Sequence, residues 1–246
     1  MIKLAIDHID TKYKVEVIKD NFSQTRQNEE VRTNGAINVV WTSSEASIES
    51  QMNPIRICLF KGLLGYRIFI IHKKNQYKYD QVKTLDDLKK LTIGQGKTWG
   101  DTKILEASGF NIIKSTKYPN LFYMLDGERF DGFSRGVHEP FGELALRPEL
   151  PDLTVEKNLM LVYRMPFYLF TSNENKKLAN DLLTGLERAV ADGSFDQTFL
   201  NDPSIQDVIA KANMKNRKAF YIENPLLSKE TPLDRKELWF DPQTLP

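Results

Sequence analysis

The sequence predicts an α/β protein, with mostly parallel sheets flanked by helices, and three observations carry that expectation. Apolar residues switch repeatedly between helical and strand spacing, giving an α-β-α-β order along the chain. The 246 residues, 41% of them hydrophobic, suffice for one large domain or two small lobes with buried cores. No repeat or low-complexity tract interrupts the pattern, so the whole chain reads as folded.

The elements follow in order. Ile2, Ala5, Ile6 and Ile9 fall at helical spacing, and Val15 and Val17 alternate with charged neighbours as in a strand. Residues 23–34 read as a polar helix with Gly35 as its terminator, and residues 37–41 and 55–60 as buried strands. A second block repeats this grammar. Residues 65–72 form a strand rich in aromatic and β-branched residues, and Thr84-Leu85-Asp86-Asp87 has the form of a capping box opening a short helix. Strands at 92–94, 111–114 and 130–133 alternate with helices at 101–108 and around Leu121, Met124 and Leu125. In the third block, residues 166–171 read as a strand and 175–191 as a helix with Leu178, Leu182, Leu186 and Val190 on one face. The tail, 201–246, holds one more helix near 205–212 and then a proline-spaced run whose Phe220, Tyr221, Trp239 and Phe240 argue for packing against the body.

Composition excludes several function classes. Lysine and arginine total 34 against 33 acidic residues, which lacks the basic excess of a phosphate-binding surface. The densest basic group, Lys211, Lys215, Arg217 and Lys218, reads as a solvated helix end, so no nucleic-acid partner is expected. The single cysteine, Cys58, excludes an internal disulfide and a cysteine-rich zinc site. Residues 63–71 and 159–170 are broken by Arg67 and Arg164, and no run approaches the roughly 18 apolar residues of a membrane span. Asp7 and Asp10 lie where a signal peptide needs an apolar run.

Two loops carry ligand chemistry. Gly94-Gln95-Gly96-Lys97-Thr98-Trp99-Gly100-Asp101-Thr102 joins a strand to a helix. Its glycines bring the backbone close to a ligand, the helix N-terminus favours an anion, and Trp99 offers an apolar wall. A P-loop needs glycine at Leu91, and a dinucleotide motif needs glycine at Trp99, so neither nucleotide reading holds. The same stretch also fits an ordinary βα turn. In Phe130-Asp131-Gly132-Phe133-Ser134-Arg135-Gly136-Val137-His138-Glu139, Arg135 follows a strand end, where parallel sheets place ligand contacts and where its donors suit a carboxylate. A surface ion pair is the other reading of Arg135. The chain has no Gly-x-Ser-x-Gly elbow and no His-Glu-x-x-His motif, and His138 beside Glu139 is more readily a structural pair than an acid–base pair. No catalytic residue, metal or cofactor is assigned.

Taken together, these segments resemble the extracytoplasmic solute-binding proteins of ABC transporters, amino-acid-binding class, with the type II periplasmic binding fold. Asn38-Val39-Val40-Trp41-Thr42 resembles the family's strand end, with asparagine where aspartate is usual. Pro54-Ile55-Arg56-Ile57 through Tyr66-Arg67 resembles the entry to the first crossover, and Leu85-Asp86-Asp87-Leu88 with Ile93-Gly94-Gln95-Gly96 a stretch of lobe two. Met124-Leu125-Asp126-Gly127-Glu128-Arg129-Phe130-Asp131 and Leu186-Glu187-Arg188-Ala189-Val190-Ala191-Asp192-Gly193 match two further elements. The resemblance covers about residues 1–200 and rests on the order and spacing of these motifs.

The resemblance implies two lobes, residues 1–65 with 168–246 and residues 66–167, joined by two hinge crossings. It implies a cleft for a small polar solute, lined by Trp41, Thr42 and Ser43 from lobe one and by Gln95, Gly96, Thr98, Trp99, Asp101, Arg135, Gly136 and His138 from lobe two. Arg135 would be the main cation, because Ile48 occupies the usual place of a lobe-one arginine, and Asp101 would meet an amine. The implied partner is a transporter permease or a membrane sensor, and the implied state a periplasmic monomer, or a cytoplasmic protein if Met1 is the natural start. A sensor module, a homologue that no longer binds solute and, more remotely, a hydrolase or transferase stay open. The family's signal peptide and first strand do not precede the first helix here. We therefore expect a lobe-one sheet short of one strand, an open edge beside residues 15–18, and both missing segments encoded upstream of Met1.

Overall fold

The computed structural model describes residues 1–18 and 22–242. The chain divides into two compact units. The first comprises Met1–Gly62, Met165–Asp202 and Leu226–Phe240, and the second Leu63–Arg164 and Pro203–Pro225 with Asp241 and Pro242. The chain therefore passes between units five times, where two crossings were expected.

In chain order the first unit contributes α1 (Ile2–Asp7), α2 (Gln24–Arg32), β1 (Val39–Ser43), α3 (Ala46–Glu49) and β2 (Asn53–Ile55). The second follows with β3 (Tyr66–His72), α4 (Gln76–Asp80), α5 (Leu85–Lys89), β4 (Thr92–Gly96), α6 (Gly100–Ala107), β5 (Asn111–Ser115), α7 (Tyr118–Asp126), β6 (Gly132–Gly136), α8 (Pro140–Ala145), β7 (Leu153–Val155) and β8 (Leu159–Val162). The chain returns to the first unit for β9 (Phe167–Thr171), α9 (Lys176–Ala191) and α10 (Ser194–Leu200), and ends in the second with α11 (Pro203–Lys211) and β10 (Lys218–Tyr221).

The first unit holds a three-stranded sheet in the order β1-β9-β2, and both of its pairings are antiparallel. The expected parallel sheet is absent here because β9 runs between β1 and β2 in the opposite direction. Residues 15–18 form no strand; Val15 and Val17 stand 51% and 79% exposed, so their alternation does not bury one face. Val31, Val40, Ile55, Leu169, Leu182 and Leu186 form the core between sheet and helices. Gly185 lets α9 meet α1 backbone to backbone, since a Cβ there would lie 1.9 Å from the Ala5 carbonyl oxygen.

The second unit holds a seven-stranded mixed sheet in the order β10-β8-β3-β6-β4-β5, with β7 also paired to β3. Strands β4, β5 and β6 run parallel to one another, whereas β3 is antiparallel to β6, β7 and β8. The tail was expected wholly in lobe one. Instead β10 extends this sheet beside β8, where it covers an apolar edge, and only Leu226–Phe240 packs with the first unit. Residues 243–246 of that expectation lie outside the described residues. The capping box at Thr84 is present, with Thr84 Oγ1 accepting from Asp87 N and Asp87 accepting from Thr84 N. Leu121, Phe122, Leu125, Phe130 and Phe133 form the core under α7.

Candidate functional site

The C-terminal ends of β4 and β6 lie side by side in the second unit, and α6 starts four residues beyond β4. Open α/β sheets bind ligands at such strand ends. Gln95 is fully buried there, and its Nε2 donates to the Ser134 carbonyl at 3.1 Å. Its Oε1 accepts from no described residue. Thr102 Oγ1 donates to the Gly96 carbonyl at 2.6 Å, which ties the loop to the first turn of α6.

Arg67 of β3 organises the polar interior behind this loop. Its Nη2 donates to the Ser134 carbonyl at 2.8 Å, its Nη1 to the Leu64 carbonyl at 3.0 Å, and its Nε to Ser134 Oγ at 3.3 Å. Asp101, at the start of α6, lies 3.3 Å from Arg67 Nη1 and accepts a hydrogen bond from the Tyr163 hydroxyl. Burial, with the Asp101 charge added, pushes the Tyr163 phenol well above its ordinary range, so it stays a donor. Four segments of chain thus converge on one buried guanidinium. A charge inside the apolar run 66–72 demands such partners, and that mismatch was the sequence signal for Arg67, which the motif reading passed over.

Arg135 is not the free cation that the strand-end position suggested. Its Nη2 donates to Glu139 at 2.6 Å and to Glu143 at 2.5 Å, and its Nε to Glu143 at 2.9 Å. The guanidinium also lies 5.0 Å from the ring centres of both Trp99 and Phe133. Helix α8 brings Glu143 one turn beyond Glu139, so both carboxylates reach the same arginine. Burial pushes the Arg135 pKa down, but attraction to Glu139 and Glu143 outweighs it and the net shift is upward. Burial pushes the Glu139 carboxyl up, and attraction to Arg135 and Arg67 more than reverses this, holding it below its ordinary value. Glu139 also accepts from Gly136 N at 2.6 Å, so beside His138 it is a structural carboxylate held ionised and no proton donor.

Trp99 is half-buried, packed over Gly96 and stacked on Phe133 at 6.2 Å; a Cβ at Gly96 would lie 2.3 Å from its indole. Thr98 and Lys97 are exposed, Gly136 is buried and His138 is half-buried. The fold thus gathers Gln95, Gly96, Trp99, Asp101, Arg135 and Gly136 around strand ends of one unit, where two guanidinium groups face three carboxylates. Trp41, Thr42 and Ser43 lie in the other unit on β1, with Trp41 exposed, Thr42 buried and Ser43 half-buried. Ile48, in α3, packs against the first unit's core. Among the described residues no group of three histidine, cysteine or acidic side chains is placed to hold a metal ion, and no helix is long and apolar enough to cross a membrane.

No family model matches the chain, and no curated protein matches it in sequence. Solved structures do match. An amino acid ABC transporter substrate-binding protein from Streptococcus pneumoniae, bound to L-arginine, is 13% identical with a TM-score of 0.61, covering 82% of this chain and 80% of its own. An ancestral arginine-binding protein bound to glutamine is 15% identical with a TM-score of 0.59, over 82% of this chain and 84% of its own. A histidine kinase sensor domain with similarity to periplasmic binding proteins is 11% identical with a TM-score of 0.51, over 71% and 72%. An α/β chain in two units, with strand ends that converge on buried polar side chains and likenesses that span most of both partners, has the fold of the periplasmic binding proteins.

Proposed function

We propose that this protein is a substrate-binding component of an ABC-type uptake system that captures a small polar solute, an amino acid or a related organic anion. The likeness to amino-acid substrate-binding proteins over about four-fifths of both chains supports this reading most. The polar strand ends of the second unit add to it. The exposed Thr98 and the half-buried Trp99 offer a polar solute a hydroxyl and an apolar wall on a rigid frame. Trp41, Thr42 and Ser43 are the first unit's candidates for the same solute. The partner is a transporter membrane component, the working state a monomer and the compartment extracytoplasmic.

A second reading is a sensor module or a homologue that has lost solute binding. The likeness to a histidine kinase sensor domain favours the first of these, and the self-neutralised Arg135 with Ile48 packed against the core favours the second. Thermal denaturation across a panel of amino acids and small organic acids decides. A bound solute at about 100 times its dissociation constant adds roughly 2.7 kcal/mol, several degrees in melting temperature. Saturable stabilisation without product formation supports solute capture. No shift from any member of the panel would sink it, and turnover would point to an enzyme.

A further inference from the structure

The first unit turns sharply just before the chain first leaves it. Lys61 and Gly62 are consecutive residues with φ of 48° and 74°, and the second unit begins at Leu63. Glycine takes that left-handed conformation freely, whereas the β-carbon of a lysine disfavours it. Lys61 is also buried, so its surroundings must hold it there. Lys61 N donates to the Cys58 carbonyl at 3.0 Å, and Gly62 N to Cys58 Sγ at 3.1 Å. Lys61 Nζ reaches Asp196 of α10 at 2.6 Å. Further contacts come from one segment, Leu226–Phe240, laid over the turn. Phe240 N donates to the Lys61 carbonyl at 2.6 Å, and the Trp239 ring sits so close to Gly62 that a Cβ there would lie 2.6 Å from it.

Leu226–Phe240 is a strap whose only regular element is one turn of 3-10 helix, Lys236–Leu238. The residues on either side of it belong to the second unit. Main-chain bonds tie its two ends to the first unit, from Ala46 N to the Leu226 carbonyl at 3.0 Å and from Phe240 N to Lys61. Side chains hold what lies between. Arg235 donates to both oxygens of Glu187 of α9 at 2.5 and 2.9 Å, Glu230 meets Arg56 at 2.6 Å, and the buried Trp239 donates from Nε1 to the Pro232 carbonyl at 2.8 Å. Both ion pairs are partly exposed and contribute little, so the strap opens more easily than α9 or β9. We propose that the strap is a latch with two positions. Docked, it holds Lys61–Gly62 in the left-handed form; released, it lets Lys61 relax to a right-handed or extended backbone, which sends the chain toward Leu63 in another direction. The latch is built from residues of the first unit and does not rest on the solute-capture reading.

Trypsin cleaves after lysine, so the Lys61–Gly62 bond reports the latch directly. Limited proteolysis of the native 246-residue chain should leave that bond uncut while the strap is docked. Trp239→Ala uncovers Gly62 and should speed cleavage there at least about tenfold, with the bond after Arg188 in α9 as resistant as in the parent. If that variant fails to fold, Arg235→Ala serves: it removes an anchor without touching the turn and should speed cleavage about 2- to 5-fold. Hydrogen exchange at the Gly62 amide separates a latch from a mere cover. Asparagine tolerates the left-handed conformation, so in a Lys61→Asn background the same strap variant should accelerate that exchange about threefold less. Equal acceleration in the two backgrounds would show that the strap covers the turn without holding its conformation, and would overturn the proposal. Rapid cleavage of the parent at Lys61, or no acceleration in either strap variant, would overturn it as well. So would equal acceleration at Lys61 and Arg188, which would mark the effect as general unfolding.

Discussion

At the scale of single residues, the charges of the second unit are spent on one another. Arg135 carries two carboxylates and two aromatic faces, and it is 7% exposed. Arg135→Ala would leave Glu139 and Glu143 without their strongest partner in a buried setting. Removing one member of a buried ion pair costs about 3–5 kcal/mol, so the variant should show a denaturant midpoint far below the parent's. Arg135→Lys should recover part of that loss, because one ammonium cannot span both carboxylates with the geometry of a planar fork. An unchanged midpoint, with solute affinity reduced, would restore Arg135 to the role its position first suggested. That position, near the C-terminal end of β6, was legible from the run of apolar residues before it. The two carboxylates were not, because Glu143 reaches Arg135 only through α8, a helix of six residues with no strong sequence pattern. Asp101 was legible as a helix-start carboxylate, whereas its partners, Arg67 in β3 and Tyr163 just after β8, are remote in sequence.

At the scale of elements, helix spacing translated into structure more faithfully than strand spacing. Residues 175–191 read as an amphipathic helix and become α9, with Leu182 and Leu186 fully buried. The alternation at residues 15–18 has the same local signature as a half-buried strand, yet a strand exists only where a neighbour offers its ladder, and β1 is not within that pairing. Strand direction was illegible for a similar reason: β9 reads as an apolar run whichever way it runs beside β1 and β2. Gly185 is where two elements depend on one absent atom. An alanine Cβ would meet the Ala5 carbonyl at 1.9 Å, so α1 must move off α9. Helix propensity favours alanine by about 1 kcal/mol, but overpacking against backbone costs about 1–3 kcal/mol or more. Gly185→Ala should therefore be destabilising, with faster hydrogen exchange concentrated in α1. A gain in stability would show that α1 shifts without cost.

At the scale of the whole molecule, two cores share one chain. Leu182, Leu186 and Leu169 belong to the first and Phe122, Phe133 and Leu125 to the second, with no residue common to both clusters. Each unit also has its own sheet. Two separate cores favour unfolding in more than one step, so the calorimetric enthalpy should exceed the van't Hoff enthalpy of the main transition. Substitutions assign the steps. Gly185→Ala strains only the first unit and Arg135→Ala unpairs charges only in the second, so each should lower one transition and leave the other near its parent temperature. The five passages of the chain between units work against this independence, because melting one unit frees segments that enter the other. If that coupling wins, both substitutions will lower a single transition together and the two enthalpies will agree. Residues 203–225 are then the segment to follow by hydrogen exchange: they pack with the second unit between stretches of the first, and their amides should lose protection together with those of both units.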